Sequence, residues 1–326
     1  MIIVDINHID RDSWQQLLNE SPVASWFQTQ EAYEFFSSLP QMMKPFVFAV
    51  TDSGNKQLKG VVVGYVTQEK NPIKQYFTRR AIIYGGPLLA EDIEDEELKS
   101  LLLALLSYLK KKAIYVETRN FSDYSRWRKV FEECGFSYQP HYDIHIDCSN
   151  RSKMQERIAD GKRRNIRQTL AEDIELKETE NEVEVEEYYH LLADLYKTKV
   201  HKPLFPLSFF TTFVKKHIGV LLVAKKNNTV IGGMLCAILP SKVLYEWYVV
   251  GPAIVTWAAM DYANRNGLQM FDFMGAGEPA RPYGVRDFKM QFGGELLELG
   301  RFLHINNPCL YSIGKAYMAK IAEPKI

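Results

Sequence analysis

Residues 271–294 read FDFMGAGEPARPYGVRDFKMQFGG, and this stretch is the most informative part of the 326-residue chain. Phe271-Asp272-Phe273 is typical of the end of a short strand, after which Gly275 and Gly277 allow the backbone to bend. A second turn follows at Pro282-Tyr283-Gly284. The pattern predicts a short strand followed by a long, loop-rich segment.

A pair of cations stands in this apolar segment. Lys289 lies between Phe288 and Phe292, and Arg286 precedes it by three residues. Two cations in an apolar, loop-rich setting suit an oxyanion or a phosphate better than they suit a core. An exposed lysine at the start of a helix is the alternative interpretation.

Working outward from this stretch, hydrophobic periodicity shows the same order of elements twice. The first half has predicted helices at 30–38, 95–112 and 123–134 and predicted strands at 46–51, 61–67, 81–84, 113–117 and 142–146. The second half has predicted helices at 185–199, 207–216 and 253–266 and predicted strands at 220–225, 230–238, 243–250 and 269–273.

This repetition predicts an α/β protein (α+β mixed sheets) with two tandem domains, residues 1–150 and 151–326. A duplicated domain also predicts a cleft between the halves, where ligands tend to bind. Two unrelated α+β domains, or one large irregular domain, are the alternatives.

The densest cationic stretch is a predicted helix at 153–170, at the start of the second half. Helical spacing places Arg163, Arg164 and Arg167 on one face. Such a face can hold a phosphate, a nucleotide or a tRNA acceptor arm. A solvated linker helix that pairs with the acidic run at 178–187 is the alternative.

Composition excludes several classes of protein. The chain has 40 basic and 40 acidic residues, so general binding to DNA or another polyanion is not expected. Its four cysteines include no CxxC pair, which indicates a reducing compartment and no zinc site. The N-terminus lacks a signal-peptide pattern, and the apolar run at 101–106 is far shorter than the roughly 20 residues that span a bilayer. We therefore expect a cytoplasmic protein.

Familiar catalytic motifs are missing from the sequence, including GxSxG, the P-loop, GxGxxG and HExxH. His141 and His145 share one face of a predicted strand, but no third ligand stands nearby in the sequence, so packing or hydrogen bonding is expected of them. What remains is a reaction in which the substrate supplies the nucleophile, such as an amine attacking an activated acyl group. The protein then positions both partners and stabilises the tetrahedral oxyanion.

Several sequence segments together resemble those of the FemAB family of peptidoglycan-bridge aminoacyltransferases. Each member of that family has two GNAT-like acyltransferase domains. The resemblance covers nearly the whole chain and is most specific at 283–294. It rests on Trp26-Phe27-Gln28-Thr29-Gln30, Gly86-Pro87, Lys162-Arg163-Arg164-Asn165-Ile166-Arg167 and Phe288-Lys289-x-x-Phe292-Gly293. The resemblance implies transfer of an aminoacyl group from aminoacyl-tRNA to an amine of a cell-wall precursor, without a metal or other cofactor.

By motif match, the resemblance also implies roles for individual residues. Lys289 corresponds to a lysine thought to stabilise the transition-state charge, and Tyr248 to an aromatic residue that lines the acyl site. Asp287 is the nearest carboxylate that could take the proton of the amine, although a turn-capping role or a pair with Arg286 is favoured for it. The residues assigned to substrate binding are Arg163, Arg164, Arg167, Tyr283, Arg286 and Gln28.

The chain departs from the family pattern in three places. Phe36 stands where relatives often carry a phosphate-binding lysine, and the long coiled-coil arm of some members is missing. Residues 249–251 lead almost directly into 252–257, without the glycine-rich loop that holds the CoA pyrophosphate in GNAT enzymes. This last departure counts against CoA.

Three functions therefore stay open: an aminoacyltransferase, an acyl-CoA-dependent N-acyltransferase for an amino sugar or amino acid, and a non-catalytic protein that binds a precursor or tRNA. The expected partner is a cell-wall precursor or another amine acceptor. Transfer RNA and a peripheral membrane contact are further options.

Overall fold

Two units, each built on one sheet, make up the protein. The computed structural model describes residues 1–3, 5–52, 54 and 57–322. The first unit comprises Met1–Pro140 and Leu299–Ile326, and the second comprises His141–Glu298.

The strands and α-helices of the first unit, in chain order, are β1 (Ile2–Ile3), α1 (Arg11–Glu20), α2 (Gln30–Ser37), β2 (Met43–Thr51), β3 (Leu58–Thr67), α3 (Pro72–Thr78), β4 (Ala81–Tyr84), β5 (Leu88–Leu89), α4 (Asp95–Leu109), β6 (Tyr115–Arg119), α5 (Arg128–Glu133) and β7 (Ser137–Gln139). Those of the second unit are β8 (Tyr142–Asp147), α6 (Arg151–Arg157), α7 (Asp160–Leu170), β9 (Glu175–Glu178), α8 (Glu182–Leu195), α9 (Leu207–Lys215), β10 (Gly219–Lys226), β11 (Thr229–Leu239), β12 (Val243–Val250), α10 (Ile254–Arg265), β13 (Met270–Asp272), α11 (Gly284–Met290) and β14 (Glu295–Glu298). The chain then returns to the first unit with β15 (Arg301–Ile305) and α12 (Pro308–Ala322).

The two sheets share one strand order. It is β1-β2-β3-β4-β6-β15-β7 in the first unit, with β5 beside β3, and β9-β10-β11-β12-β13-β8-β14 in the second. The fourth and fifth strands are parallel in both sheets, β4 with β6 and β12 with β13. The pairs on either side of them are antiparallel. The shared order confirms the predicted mixed α/β fold.

The units differ at both ends from the predicted ranges 1–150 and 151–326. Strand β8 pairs with β13 and so belongs to the second sheet. Strand β15 pairs with β6, which brings the segment from Leu299 onward back to the first unit. Hydrophobic periodicity detects a strand but not its partner, and each sheet here receives one strand from a distant part of the chain.

Each sheet packs against helices whose apolar residues follow helical spacing. Helix α4 covers the first sheet through buried leucines, namely Leu98, Leu101, Leu102, Leu105, Leu106 and Leu109. Helix α10 does the same in the second unit, burying Ile254, Val255, Trp257, Ala259, Met260 and Ala263 in its core. Among the described residues, no helix has the length and apolar character that a membrane span requires.

The basic segment predicted as one helix at 153–170 is two helices, α6 and α7. Ile158 takes an extended backbone conformation (φ −65°, ψ 129°), which ends α6. The amide of Ala159 then donates to the carbonyl oxygen of Gln291, at 2.9 Å. The break therefore holds the basic segment against the end of α11.

Candidate functional site

The parallel strands β12 and β13 separate at their carboxyl ends. Their register runs from Val243↔Met270 to Tyr245↔Asp272 and goes no further, although β12 continues to Val250. The carboxyl ends of adjacent parallel strands are where open α/β sheets commonly bind ligands. The structure places the predicted lysine at this point.

Lys289 bridges the two separating strands. Its Nζ lies 2.9 Å from Oε1 of Glu246 on β12, and it donates to the carbonyl oxygens of Phe273 (2.8 Å) and Gly275 (3.0 Å) just beyond β13. An ammonium group has three N–H donors, so all three have an acceptor. The Lys289 and Glu246 side chains are only 10% and 5% exposed. Burial raises the pKa of Glu246, and Lys289 opposes that shift.

Sequence reasoning missed Glu246, although its signal was present. It interrupts the apolar strand Val243–Val250, and a carboxylate inside such a strand needs a buried partner. Lys289 is that partner. The alternative interpretation of Lys289 as an exposed lysine at a helix start is therefore wrong.

Lys289 and two aspartates hold a tight turn after β13. Met274 has φ 53° and Gly275 has φ 124°, backbone conformations that non-glycine residues rarely adopt. The Met274 amide donates to Oδ1 of Asp272 at 2.6 Å, and the Gly275 amide donates to Oδ1 of Asp143 at 2.8 Å. Rare backbone conformations persist only where the surrounding structure holds them in place, and such positions cluster at functional sites.

Asp143 and Asp272 form a buried cluster with His145. Strand alternation puts Asp143 and His145 on one face of β8, and pairing places Asp272 beside His145. The His145 Nε2 and Asp272 Oδ2 atoms are 3.3 Å apart. Asp272 is thus an acidic neighbour of His145 that the local sequence did not reveal, because it comes from a strand more than one hundred residues away.

Two groups of this cluster have raised pKa values. Burial, with the neighbouring charge of Asp272, raises the pKa of Asp143 to about 8. Burial disfavours the charge on His145, but Asp272, Asp143 and Glu295 outweigh it and raise its pKa to about 9. Both shifts favour the protonated forms of Asp143 and His145.

The same three residues form a group among the described residues with geometry for a metal ion. One ligand atom from each of Asp143, His145 and Asp272 lies within 4.8 Å of the others. Two carboxylates and an imidazole are ligands that divalent metals accept.

The remaining residues of the Phe288–Gly293 motif have packing roles. Lys162 of α7 places its Nζ 4.0 Å from the centroid of the Phe288 ring, and Phe292 is fully buried in the core of this unit. Gly293 has φ 81°, and a Cβ there would lie 2.3 Å from the carbonyl oxygen of Arg157. The motif thus fixes α11, and with it Lys289, against the α6–α7 break.

Tyr248 lies on β12 among aromatic side chains of α8 and α9. Its register with β11 shifts at Trp247, next to Glu246. The Tyr248 ring centroid is 5.2 Å from that of Phe210, and the Tyr188 hydroxyl donates to the Tyr248 carbonyl oxygen at 2.9 Å. Tyr248 is therefore two residues from Glu246 and half-buried, a position that fits the predicted lining of an acyl site.

The turn before α11 carries Tyr283, Arg286 and Asp287. Tyr283 is 41% exposed. Arg286 donates to the carbonyl oxygens of Glu278 (3.1 Å) and Arg281 (2.6 Å), so its guanidinium braces the loop. Asp287 is exposed in the first helical turn. Side chains two residues apart on a helix do not face each other, so the structure does not bring Asp287 to the Lys289 ammonium.

The arginines of the basic segment lie on α7. Arg164 and Arg167 are exposed, while Arg163 pairs with Asp160 and donates to the carbonyl oxygen of Gln155 at 3.4 Å. The acidic run at 178–187 has ion pairs of its own elsewhere, linking Glu180 to His217, Glu182 to Lys215, and Glu184 to Lys177 and Lys225. These pairs do not support a linker helix held by the acidic run.

The prediction that Gln28 binds substrate is wrong, because the structure gives this residue a structural role. Its side chain is fully buried. The Nε2 group donates to the carbonyl oxygens of Gly85 (3.1 Å) and Gly86 (3.0 Å), and Oε1 accepts from the Ser25 amide at 2.7 Å. Gln28 thus holds the turn after β4, with the Tyr124 hydroxyl 3.3 Å from its amide, and offers no surface to a substrate.

Several solved structures are similar to this chain over nearly its full length. FemX is 14% identical with a TM-score of 0.71, over 96% of this chain and 99% of FemX. L-PGS from Bacillus licheniformis is 12% identical with a TM-score of 0.57, over 96% and 98% of the two chains. A tandem GNAT protein from the clavulanic acid biosynthesis pathway is 10% identical with a TM-score of 0.57, over 94% and 99%.

These likenesses show the fold, which consists of two GNAT-like domains in tandem. No family model matches the sequence, and no curated protein matches it.

Proposed function

We propose that the protein is an N-acyltransferase that transfers an aminoacyl group from aminoacyl-tRNA to an amine of a cell-wall precursor. The observation that carries this proposal is the Lys289 ammonium at the open carboxyl ends of β12 and β13, paired with buried Glu246 beneath a strained turn. The fold likeness to FemX supports it. A cation in a water-poor site stabilises a developing oxyanion more strongly than it would in water.

The reaction forms one bond and breaks one. The neutral acceptor amine attacks the ester carbonyl carbon of the aminoacyl-tRNA, and the carbonyl oxygen becomes an oxyanion. Collapse of this tetrahedral adduct expels the ribose oxygen of the tRNA, which takes up a proton as the amine nitrogen loses one. Lys289 reaches the oxyanion by exchanging one of its three present acceptors for the new oxygen.

The proton acceptor for the amine is a separate question. His145 is already protonated at neutral pH, since its pKa is raised to about 9 after burial is outweighed by its carboxylate neighbours. Asp287 is an exposed carboxylate and is free to take a proton through water. Because Asp287 lies away from the Lys289 ammonium, the proton would reach it through water.

An acyl-CoA-dependent N-acyltransferase is the second candidate, and the tandem GNAT neighbour favours it. One feature of the chain opposes it. Strand β12 ends at Val250 and α10 begins at Ile254, which leaves a three-residue junction where a pyrophosphate loop is expected. A non-catalytic protein that binds precursor or tRNA is the third candidate.

Binding and turnover separate these candidates. We would titrate the full chain with a UDP-linked muropeptide, charged tRNA and acetyl-CoA by calorimetry, and assay acyl transfer with each donor. The proposal expects binding of the muropeptide and charged tRNA, with transfer between them. Binding and transfer with acetyl-CoA alone would favour the second candidate, and binding without transfer the third.

A further inference from the structure

Helix α3 of the first unit presents its apolar face to solvent. Ile73, Tyr76 and Phe77 are 72%, 49% and 48% exposed. Their spacing of three and four residues puts them on one helical face. No residue of this seven-residue helix is buried. Helices of globular proteins ordinarily turn such a face inward, so this arrangement is inverted.

Hydrogen bonds on the opposite side fix this orientation. Gln75 lies opposite the apolar face, and its side chain donates to the carbonyl oxygen of Thr67 at 3.0 Å and accepts from the Glu69 amide at 2.7 Å. At the amino end, Oδ1 of Asn71 accepts from the amides of Ile73 (2.9 Å) and Lys74 (3.1 Å). The polar side is tied to the end of β3, and the apolar side is thereby held outward.

Basic side chains surround the apolar face. Residues 69–80 contain Lys70, Lys74, Arg79 and Arg80 against Glu69 alone, a formal net charge of +3. Lys70 and Lys74 are exposed, and Lys74 pairs with Glu69 at 2.8 Å. Arg79 and Arg80 are half-buried, and the Arg79 guanidinium lies 4.6 Å from the centroid of the Tyr76 ring. A further exposed apolar side chain, Ile313 at 52%, lies on the neighbouring helix α12.

We propose that α3 and its flanking basic residues form a docking surface for an anionic lipid bilayer, which goes beyond the proposed transfer reaction and does not depend on it. A tyrosine, a phenylalanine and an isoleucine on one face suit the boundary between headgroups and acyl chains. The net positive charge matches anionic headgroups, each nearby lysine or arginine adding attraction within a Debye length. Apolar insertion and charge thus point to the same partner, a bilayer surface to which the protein binds reversibly.

The test is co-sedimentation of the full chain with vesicles of phosphatidylcholine and phosphatidylglycerol, and with vesicles of phosphatidylcholine alone. The variant Ile73→Ser/Phe77→Ser removes apolar area and leaves every charge in place. Its partition onto the mixed vesicles is expected to fall about tenfold or more. The matched control is Leu103→Ser on α4, whose side chain is 49% exposed and lies outside the docking surface; its partition stays at the wild-type value.

The mixed vesicles are also expected to bind several-fold more protein than phosphatidylcholine alone, and added salt lowers that difference. Equal partition of the wild-type chain and the Ile73→Ser/Phe77→Ser variant would overturn the proposal. So would a wild-type dimer in light scattering that this variant converts to a monomer, because the apolar face would then belong to a contact between two copies.

Discussion

The two parallel strand pairs occupy the same place in their sheets but end differently. In the first unit, the β4–β6 register continues to Tyr84↔Arg119, and the Gly85 amide still donates to the Arg119 carbonyl oxygen at 2.8 Å. In the second unit, the β12–β13 register stops at Tyr245↔Asp272. One pair is closed by backbone hydrogen bonds to its end, whereas the other opens.

Side chains follow the same division. At the end of β6, Glu117 pairs with Arg119 (3.2 Å) and Arg301 (2.9 Å), and Arg119 donates to the Tyr84 hydroxyl at 3.0 Å. Burial opposes the charge on Glu117, but Arg119 and Arg301 outweigh it and lower its pKa to about 2. In the second unit the open end is instead bridged by the Lys289 ammonium.

The comparison identifies the unit whose strand ends depend on a buried cation. In the first unit, the neutral side chain of Gln28 donates to the carbonyl oxygens just beyond β4, and the one carboxylate, Glu117, is paired with two arginines. In the second unit, two backbone carbonyl oxygens and a carboxylate depend on Lys289. The two units thus share their strand order, while one of them places a buried cation at the carboxyl ends of its parallel strands.

The largest effect is expected from Lys289→Met. The substitution leaves Glu246 buried without its partner, and breaking a buried pair in this way typically costs about 3–5 kcal/mol of unfolding free energy. If Lys289 also stabilises the oxyanion, turnover falls by on the order of 10²–10³. Urea unfolding measures the first quantity and single-turnover transfer the second.

The matched control in the first unit is Lys59→Met, which removes the partner of Asp92. The Asp92 side chain is 72% exposed and regains water, so the loss is expected to stay within about 1 kcal/mol. Equal losses for the two variants would contradict the assignment of Lys289 and Glu246 as a buried pair.

Gly293→Ala and Gly135→Ala compare two glycines with nearly the same backbone, φ 81° and 83°. The left-handed conformation costs either alanine roughly 1–2 kcal/mol. At Gly293 the new Cβ would also lie 2.3 Å from the backbone oxygen of Arg157, whereas at Gly135 the nearest atom, in the His304 ring, is 3.4 Å away. We expect the Gly293 variant to lose about 1–3 kcal/mol more, measured by chemical denaturation. Similar losses would mean that the backbone approach is not tight.

The two units should respond to opposite ends of the pH scale. Glu117 has a folded pKa of about 2, after burial is outweighed by the arginines, against an ordinary value of 4.5. Its contribution to stability is complete above pH 4.5 and is lost as the pH falls toward 2. His145 has a folded pKa of about 9, after burial is outweighed by the carboxylates, against 6.5. Its contribution is complete below pH 6.5 and is lost as the pH rises toward 9.

Each of these two pKa shifts changes the free energy of unfolding by about 3 kcal/mol at most. The free energy of unfolding, measured as a function of pH, should fall toward acid pH (the acid limb) and toward alkaline pH (the alkaline limb). Glu117→Gln is expected to flatten the acid limb. His145→Gln is expected to remove the loss nearest pH 9, while Asp143, whose pKa burial and Asp272 raise to about 8, still loses its contribution between its ordinary value of 3.8 and pH 8. An alkaline limb that survives His145→Gln unchanged would assign it to another group.

The smallest effect concerns ligand binding by α7. Neutralising one phosphate-contacting arginine through Arg164→Ala should weaken binding of the muropeptide or tRNA by about 1.5–3 kcal/mol, and salt should weaken it further. Lys129→Ala on α5 of the first unit is the control, since Lys129 is 85% exposed and lies on the other copy of the fold. If neither Arg164→Ala nor added salt changes the affinity, α7 has no role in binding.

Local patterns in the sequence were sufficient for part of this description. The order of helices and strands along the chain follows largely from hydrophobic periodicity, and the Phe288–Gly293 motif identifies Lys289. Local sequence patterns do not reveal which distant strands pair. Strand pairing places Asp272 beside Asp143 and His145, and it puts β8 in the second unit and β15 in the first. Gln28 was misjudged for the same reason, because its partners Gly85 and Gly86 lie almost sixty residues away.

The central claim, that Lys289 acts chemically and does more than hold the turn, is tested most directly by Lys289→Met/Glu246→Gln. The second substitution removes the buried charge that the first leaves unpaired, so the double variant should regain most of the stability lost in Lys289→Met. Its turnover, measured beside Glu246→Gln alone, should stay at least about 100-fold below wild type. Turnover that returns to the level of Glu246→Gln together with the stability would contradict the claim and leave Lys289 a structural residue.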